Sequence, residues 1–158
     1  MNFRCAGIVN ESYVDGPGIR MAIFVQGCSH HCEGCHNKHT WDPNKGFLTN
    51  TEFIIHEYQS NPLLTGITLT GGEPMEQPKA MFLLARAVKK LGGNVWCYTG
   101  YTLEELKEKK NNDINKLLNE IDVLVDGPFI LSLRDLDLDF RGSSNQRIIY
   151  LKEERIEV

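Results

Sequence analysis

Apolar residues change their spacing several times along the chain, and each change marks an element. Two early runs, FRCAGIV (3–9) and IRMAIFVQG (19–27), predict strands joined by the turn-rich YVDGPG. A helix is expected from Thr49–Thr51, whose hydroxyls can cap it, through EFIIHEYQS (52–60). GITLTGGEP (66–74) reads as a short strand ending in a glycine turn. PKAMFLLARAVKKLGG (78–93) gives the clearest helix, with apolar residues at helical spacing and Gly92 where a C-terminal cap belongs. NVWCYTG (94–100) predicts another strand, and TLEELKEKK (102–110) carries Thr102 and Glu105 at capping-box spacing. IDVLVDGPFI (121–130) reads as a buried strand, and RIIYL (147–151) adds one more. In LRDLDLDFRG (133–142), Leu136, Leu138 and Phe140 alternate with Asp135, Asp137 and Asp139, the pattern of a half-buried edge strand or an ordered loop.

Strands alternating with helices predict an α/β fold with parallel packing. Four or five β/α-like units are fewer than the eight of a closed barrel, so a partial, open β/α barrel is expected, one domain over residues 1–158. A chain of 158 residues buries one core and falls short of two domains. Its 41% hydrophobic and 24% charged residues are ordinary for a soluble globular protein. The net charge of −4 points away from a nucleic-acid surface. No apolar run approaches the roughly 18 residues of a membrane span, and MNFRCAGIVNESYVDG lacks a secretory signal. Five cysteines, an odd number, then favour reduced thiols and a cytoplasmic location.

The chemistry concentrates in GCSHHCEGCHN (27–37), where Cys28, Cys32 and Cys35 fall within eight residues on a loop after a strand. Three thiolates at this spacing converge on one point. One reading is a zinc knuckle completed by His30, His31 or His36. The other is an iron–sulfur cubane, in which three cysteinyl ligands leave one iron open for a substrate. Cys5 and Cys97 fall in predicted strands and read as small buried hydrophobes. His30 and His31 read as loop residues that shape the pocket. The glycines of TGGEP (70–74) serve a tight turn or let backbone carbonyls approach a ligand, with Glu73 beside a cationic group. Thr99 and Asp126 end two successive strands, at the rim where β/α enzymes place ligand contacts.

The Cx3CxxC spacing after an early strand resembles the signature of the radical S-adenosylmethionine (SAM) enzymes. CEGCHNKHTWD (32–42) and DGPGIR (15–20) resemble the glycyl-radical-enzyme activases among them. DVLVDGPF, RGSSNQR and the short chain resemble the branch that serves anaerobic (class III) ribonucleotide reductase, over about Cys5 to Arg147. The residue before the third cysteine is usually aromatic in the superfamily and is Gly34 here, so backbone at Gly34 and His36 would meet the adenine.

The resemblance implies that Cys28, Cys32 and Cys35 hold a [4Fe-4S] cluster. It places S-adenosyl-L-methionine against Gly34, Cys35, His36, Asn37, Gly71, Gly72, Glu73, Thr99 and Asp126. In related activases the Thr99–Asp126 region sometimes takes a monovalent cation, although Tyr98 stands here where a relative has an acid. Reductive cleavage to methionine and a 5′-deoxyadenosyl radical, and hydrogen abstraction from a glycine of the reductase large subunit, would follow. Asp15, Arg20, Arg141 and Arg147 are implied as contacts to the partner protein, and the RGSSNQR segment as a contact to SAM or the partner. A flavodoxin-like or other low-potential donor, and assembly as a homodimer or a tetramer with the reductase, are implied as well. Other readings are a pyruvate formate-lyase activase, a small-molecule radical SAM enzyme of deazapurine synthesis, and a non-catalytic zinc module.

Overall fold

A computed structural model of the chain describes residues 1–152 and 155–157, the last three by their backbone alone. The elements run β1 (Asn2–Ser12), β2 (Arg20–Val25), β3 (Phe47–Asn50), α1 (Thr51–Gln59), β4 (Gly66–Gly71) and α2 (Pro78–Lys90). They continue with β5 (Asn94–Tyr98), α3 (Leu103–Glu108), α4 (Asn112–Glu120), β6 (Val123–Asp126), β7 (Arg147–Tyr150) and β8 (Arg155–Glu157). All eight strands form one mixed sheet in the order β3-β1-β2-β4-β5-β6-β7-β8.

The expected parallel β/α pattern holds only at the centre of the sheet. β2, β4, β5 and β6 pair in parallel, whereas β1–β2, β1–β3, β6–β7 and β7–β8 are antiparallel. β3 and β8 are the two edges, so the hydrogen-bonded sheet is open. The sequence missed β3, α4 and β8.

Alternation along the central strands sorts their side chains onto two faces. Met21, Ile23, Val25, Ile67, Leu69, Val95, Cys97 and Leu124 join the main core with Ile54, Tyr58, Leu84, Val88, Leu106 and Leu117 from the helices. Trp96, Val123 and Val125 form a smaller cluster on the other face, with Tyr98, Phe140, Ile148 and Tyr150 against it. α2 anchors the helical layer through Ala80, Met81, Leu84, Ala85 and Val88, buried residues at helical spacing. Gly92 follows it at φ +85°, a left-handed conformation suited to ending a helix.

α1 starts where expected, but its cap is the Asn50 carboxamide, which accepts from Phe53 N at 2.8 Å, rather than a threonine hydroxyl. The capping box of Thr102 and Glu105 is formed. Residues 133–142 resolve as an ordered loop bridged at Arg134 and Ser143, with Leu136 85% exposed and Phe140 edge-on to Trp96. Among the described residues no helix is long and apolar enough to cross a membrane.

Candidate functional site

The cysteine loop leaves β2 at Gly27 and is held at its root by main-chain bonds. Gly27 N donates to Thr40 O at 2.6 Å and Cys28 N to Trp41 O at 3.1 Å. The buried Gln26 carboxamide donates to His39 O and Asp42 O, closing the far side of the loop. Within the loop, Cys35 N donates to Cys32 O at 3.1 Å, and Asn37 N points at Cys35 Sγ, 3.3 Å away.

Cys28, Cys32 and Cys35 line one cavity of about 290 Å³. Its other walls include His36, Asn37, Gly71, Gly72, Tyr98, Thr99, Val125, Gly127, Phe129 and Gln146. It therefore gathers the ends of β2, β4, β5 and β6, where open α/β sheets bind ligands. A larger cavity, about 550 Å³, lies between the C-terminal ends of α1 and α2, but no thiol or charged group lines it. The chemistry selects the smaller one.

The Gly-Gly turn is built against the root of the loop. Gly72 N donates to Val25 O at 2.9 Å and Glu73 N to Gly27 O at 2.8 Å. A Cβ on Gly71, at φ +98°, would lie 2.5 Å from Val25 N, and one on Gly72 would lie 2.4 Å from Gly27 O. Glycine is required here by the close approach of two backbones. The Asn37 carboxamide reaches Gly71 O at 3.5 Å from the cysteine loop. Gly34, at φ +75°, sits under Leu131, whose Cδ1 would be 2.7 Å from a Cβ there.

Glu73 departs from the sequence reading. Its side chain is fully buried, and it does not line the cavity. His30 Nε2, Thr99 Oγ1, Gly100 N and Met75 N direct four donors onto its two oxygens at 2.7 to 3.0 Å. The carboxylate is thus occupied by protein donors, and the turn faces the cavity through Thr70, Gly71 and Gly72. Thr99 lines the cavity while its hydroxyl serves Glu73.

Asp126 is displaced from the site for a reason of register. It shares the helix-side face with Leu124, while its neighbours Val125 and Gly127 line the cavity. Opposite Asp126 in the ladder stands Arg147, which donates to it through Nε at 3.0 Å and Nη2 at 2.6 Å. Asp126 also accepts from Leu103 N at the start of α3, and Arg147 continues to Glu104. Asp126 is thus engaged by Arg147 and Leu103 and does not line the cavity, and the Arg147 side chain, 25% exposed, is held between Asp126 and Glu104.

Arg20 is 0% exposed, so it cannot touch a partner protein. Its guanidinium donates to Thr68 Oγ1, Pro17 O, Ile67 O and Asn94 O. Burial pushes its pKa down to about 10. Thr68 Oγ1 in turn donates to Asp15 O, tying the Asp-Gly-Pro-Gly turn onto the sheet. The half-buried Asp15 carboxylate accepts from Ser12 Oγ and adds to the burial that raises the pKa of Tyr98, a cavity residue. Arg141 donates to Gln146 O, and its Nε is buried with no partner among the described residues. The amides of Asn145 and Gln146 pin their loop to Pro128 O and Gly127 O, making it a fixed wall of the cavity.

Two of the three loop histidines are engaged away from the thiols. His30 is committed to Glu73, and His31 stacks on Trp41 at 4.4 Å. His36 lines the cavity beside Phe129. Among the described residues no three His, Cys, Asp or Glu side chains are gathered as ligands for a single ion. Three free thiols line one cavity, the number that a cluster with one open iron takes from its protein. Burial pushes the Cys28 thiol up to about 11, so ligation must be driven by the positive charge it meets. Cys5 and Cys97 are buried in the sheet as expected. Sequence reasoning missed the bridging role of His30, and it did not single out Phe129 and Gln146, although both lie in the DVLVDGPF and RGSSNQR motifs and line the cavity.

The profile of the 4Fe-4S single cluster domain family matches residues 14–149. The chain is 38% identical over 148 residues to the anaerobic ribonucleoside-triphosphate reductase-activating protein of Salmonella typhi, covering 88% of this chain and 93% of that one. The protein of that name from Vibrio cholerae is 40% identical over 143 residues, covering 85% and 90%. Its counterpart from Enterobacteria phage T4 is 35% identical over 145 residues, covering 86% of each. Among solved structures, QueE from Escherichia coli aligns at 21% identity with a TM-score of 0.49, over 65% of this chain and 54% of that one.

Proposed function

This chain belongs to the family of anaerobic ribonucleoside-triphosphate reductase-activating proteins, within the 4Fe-4S single cluster domain family, and from that premise we propose that it activates an anaerobic ribonucleotide reductase by generating a glycyl radical on it. The observation that carries the reading is the single cavity shared by Cys28, Cys32, Cys35 and the Gly71–Gly72 backbone. In it, Cys28, Cys32 and Cys35 would hold a [4Fe-4S] cluster, and the Gly71–Gly72 backbone would bind S-adenosyl-L-methionine. When bound, the two supply an electron and a carbon radical able to take a hydrogen atom from a glycine of the reductase.

The chain's own residues bind and orient. Gly71 and Gly72 present main-chain groups where side chains would block approach. Cys35, His36 and Asn37 line the cavity, with His36 beside Phe129, and the backbone of Gly34 to Asn37 would meet the adenosine. Thr99 and Glu73 hold the rim of β4 and β5 in place. Tyr98 and Asp15 lie toward the face that carries the smaller apolar cluster, and the glycine-bearing loop of the reductase would enter there. Electron delivery by a low-potential, flavodoxin-like donor, a cytoplasmic setting, and assembly as a homodimer or with the reductase complete the proposal.

Anaerobic mixing of reconstituted, reduced protein with SAM and the reductase tests it. A glycyl-radical EPR doublet on the reductase, with release of 5′-deoxyadenosine, is the expected result, and Cys28→Ala abolishes both. A colourless protein holding one zinc overturns the reading. A doublet formed only on pyruvate formate-lyase reassigns the target.

A further inference from the structure

Besides the main-chain bonds at its root and the Asn37 carboxamide, the cysteine loop meets the Gly-Gly-Glu turn through a side chain that the proposed chemistry does not use. His30 sits between Cys28 and Cys32 and reaches out of its own loop. Its Nε2 lies 2.7 Å from Glu73 Oε1, and its ring meets Tyr101 edge-on with centroids 4.5 Å apart. A Cβ on Gly100 would lie 2.6 Å from His30 Cδ2, so the glycine leaves room for the imidazole. Glu73 is held in turn by Thr99, Gly100 and Met75. His31, next in sequence, stacks on Trp41 instead. One ring thus contacts the turn after β4 and the turn after β5 at once.

We propose that His30 is a positioning residue: it latches the cysteine loop to the Gly-Gly-Glu turn, so that the thiols and the SAM-binding backbone are ordered as one unit. The consequence for SAM rests on the function proposed above, whereas the latch itself is a property of the chain. Ordering either end of the cavity then prepares the other, and by linkage the effect is reciprocal.

The test compares wild type, His30→Ala and His30→Gln as full-length chains. Glutamine places an amide nitrogen near the position of Nε2 and keeps the bond to Glu73. In cluster-free protein, mass spectrometry follows alkylation of each cysteine. His30→Ala is expected to speed alkylation of Cys28, Cys32 and Cys35 about tenfold, with Cys5 and Cys97 unchanged. In reconstituted protein, calorimetry is expected to show SAM binding about 10- to 100-fold weaker. His30→Gln restores most of both.

Wild-type alkylation rates and SAM affinity in His30→Ala overturn the proposal. Should His30→Ala also unmask Cys5 and Cys97, His30→Gln decides: rates near wild type support the latch, and rates like those of alanine overturn it. A wild type that takes up no iron and sulfide sinks the cofactor reading, while the alkylation rates still decide the latch.

Discussion

The two faces of the central sheet are made from the same strands and are unlike in every other respect. Toward the helices, Ile67, Leu69, Val95, Cys97 and Leu124 are fully buried in a continuous apolar core. On the opposite face, Arg20, Thr68, Trp96 and Tyr98 combine buried polar groups with aromatic rings, and Thr70, Tyr98 and Val125 run into the cavity. One face supplies stability through area removed from water. The other gives up part of that stabilisation to hold polar groups in fixed positions, and such positions are where ligands are oriented. Alternation with a period of two lets a single strand do both.

Substitutions that act on one face alone sharpen this division. The largest stability effect is expected from Leu84→Ala on the helical side, which removes a fully buried side chain from α2. About 2–5 kcal/mol should be lost in denaturant unfolding, with the iron and sulfide content of the folded fraction unchanged. A loss of cluster at full stability would show that the faces are not separable. Arg20→Met on the other face removes four hydrogen bonds from a buried guanidinium. It should cost about 1–3 kcal/mol while leaving the affinity of the folded protein for the reductase unchanged. A weakened complex at full stability would return Arg20 to the partner surface.

Glu104→Gln should have the smallest effect, because Glu104 is 62% exposed and its ion pair with Arg147 is screened by solvent. The Arg147 guanidinium lowers the Glu104 pKa to about 2, below its unfolded value near 4.3. The pair's contribution, about 0.2–1 kcal/mol, is therefore fully present above about pH 5 and disappears as pH falls toward 2. Unfolding of wild type and variant across that window should converge in acid. A difference that persists at pH 2 would locate the effect elsewhere.

The sequence was most legible where local rules suffice. Cys28, Cys32 and Cys35 were found from spacing, α2 from its apolar stripe, and α3 from its capping box. α4 was missed because Ile114 and Leu117 are its only fully buried residues amid polar neighbours. Asp126 was misplaced because position at a strand end was read without parity; Leu124 in the core already put it on the helix side. Arg20 was read as a partner contact beside a turn, and its acceptors Thr68 Oγ1, Ile67 O and Asn94 O, distant along the chain, explain its burial. Glu73 and His30 meet across 43 positions, a pairing that no window of sequence displays.

The contact of Gly72 with Val25 and of Glu73 with Gly27 is made entirely by main-chain atoms. The thiols and the glycine turn therefore share a common datum, set by peptide geometry and two hydrogen bonds. Errors of side-chain packing in the helical layer do not accumulate across that junction. The junction at the root of the loop is in this sense a tolerance written into the backbone; His30 fixes the loop farther out, and the helical core is free to vary around both.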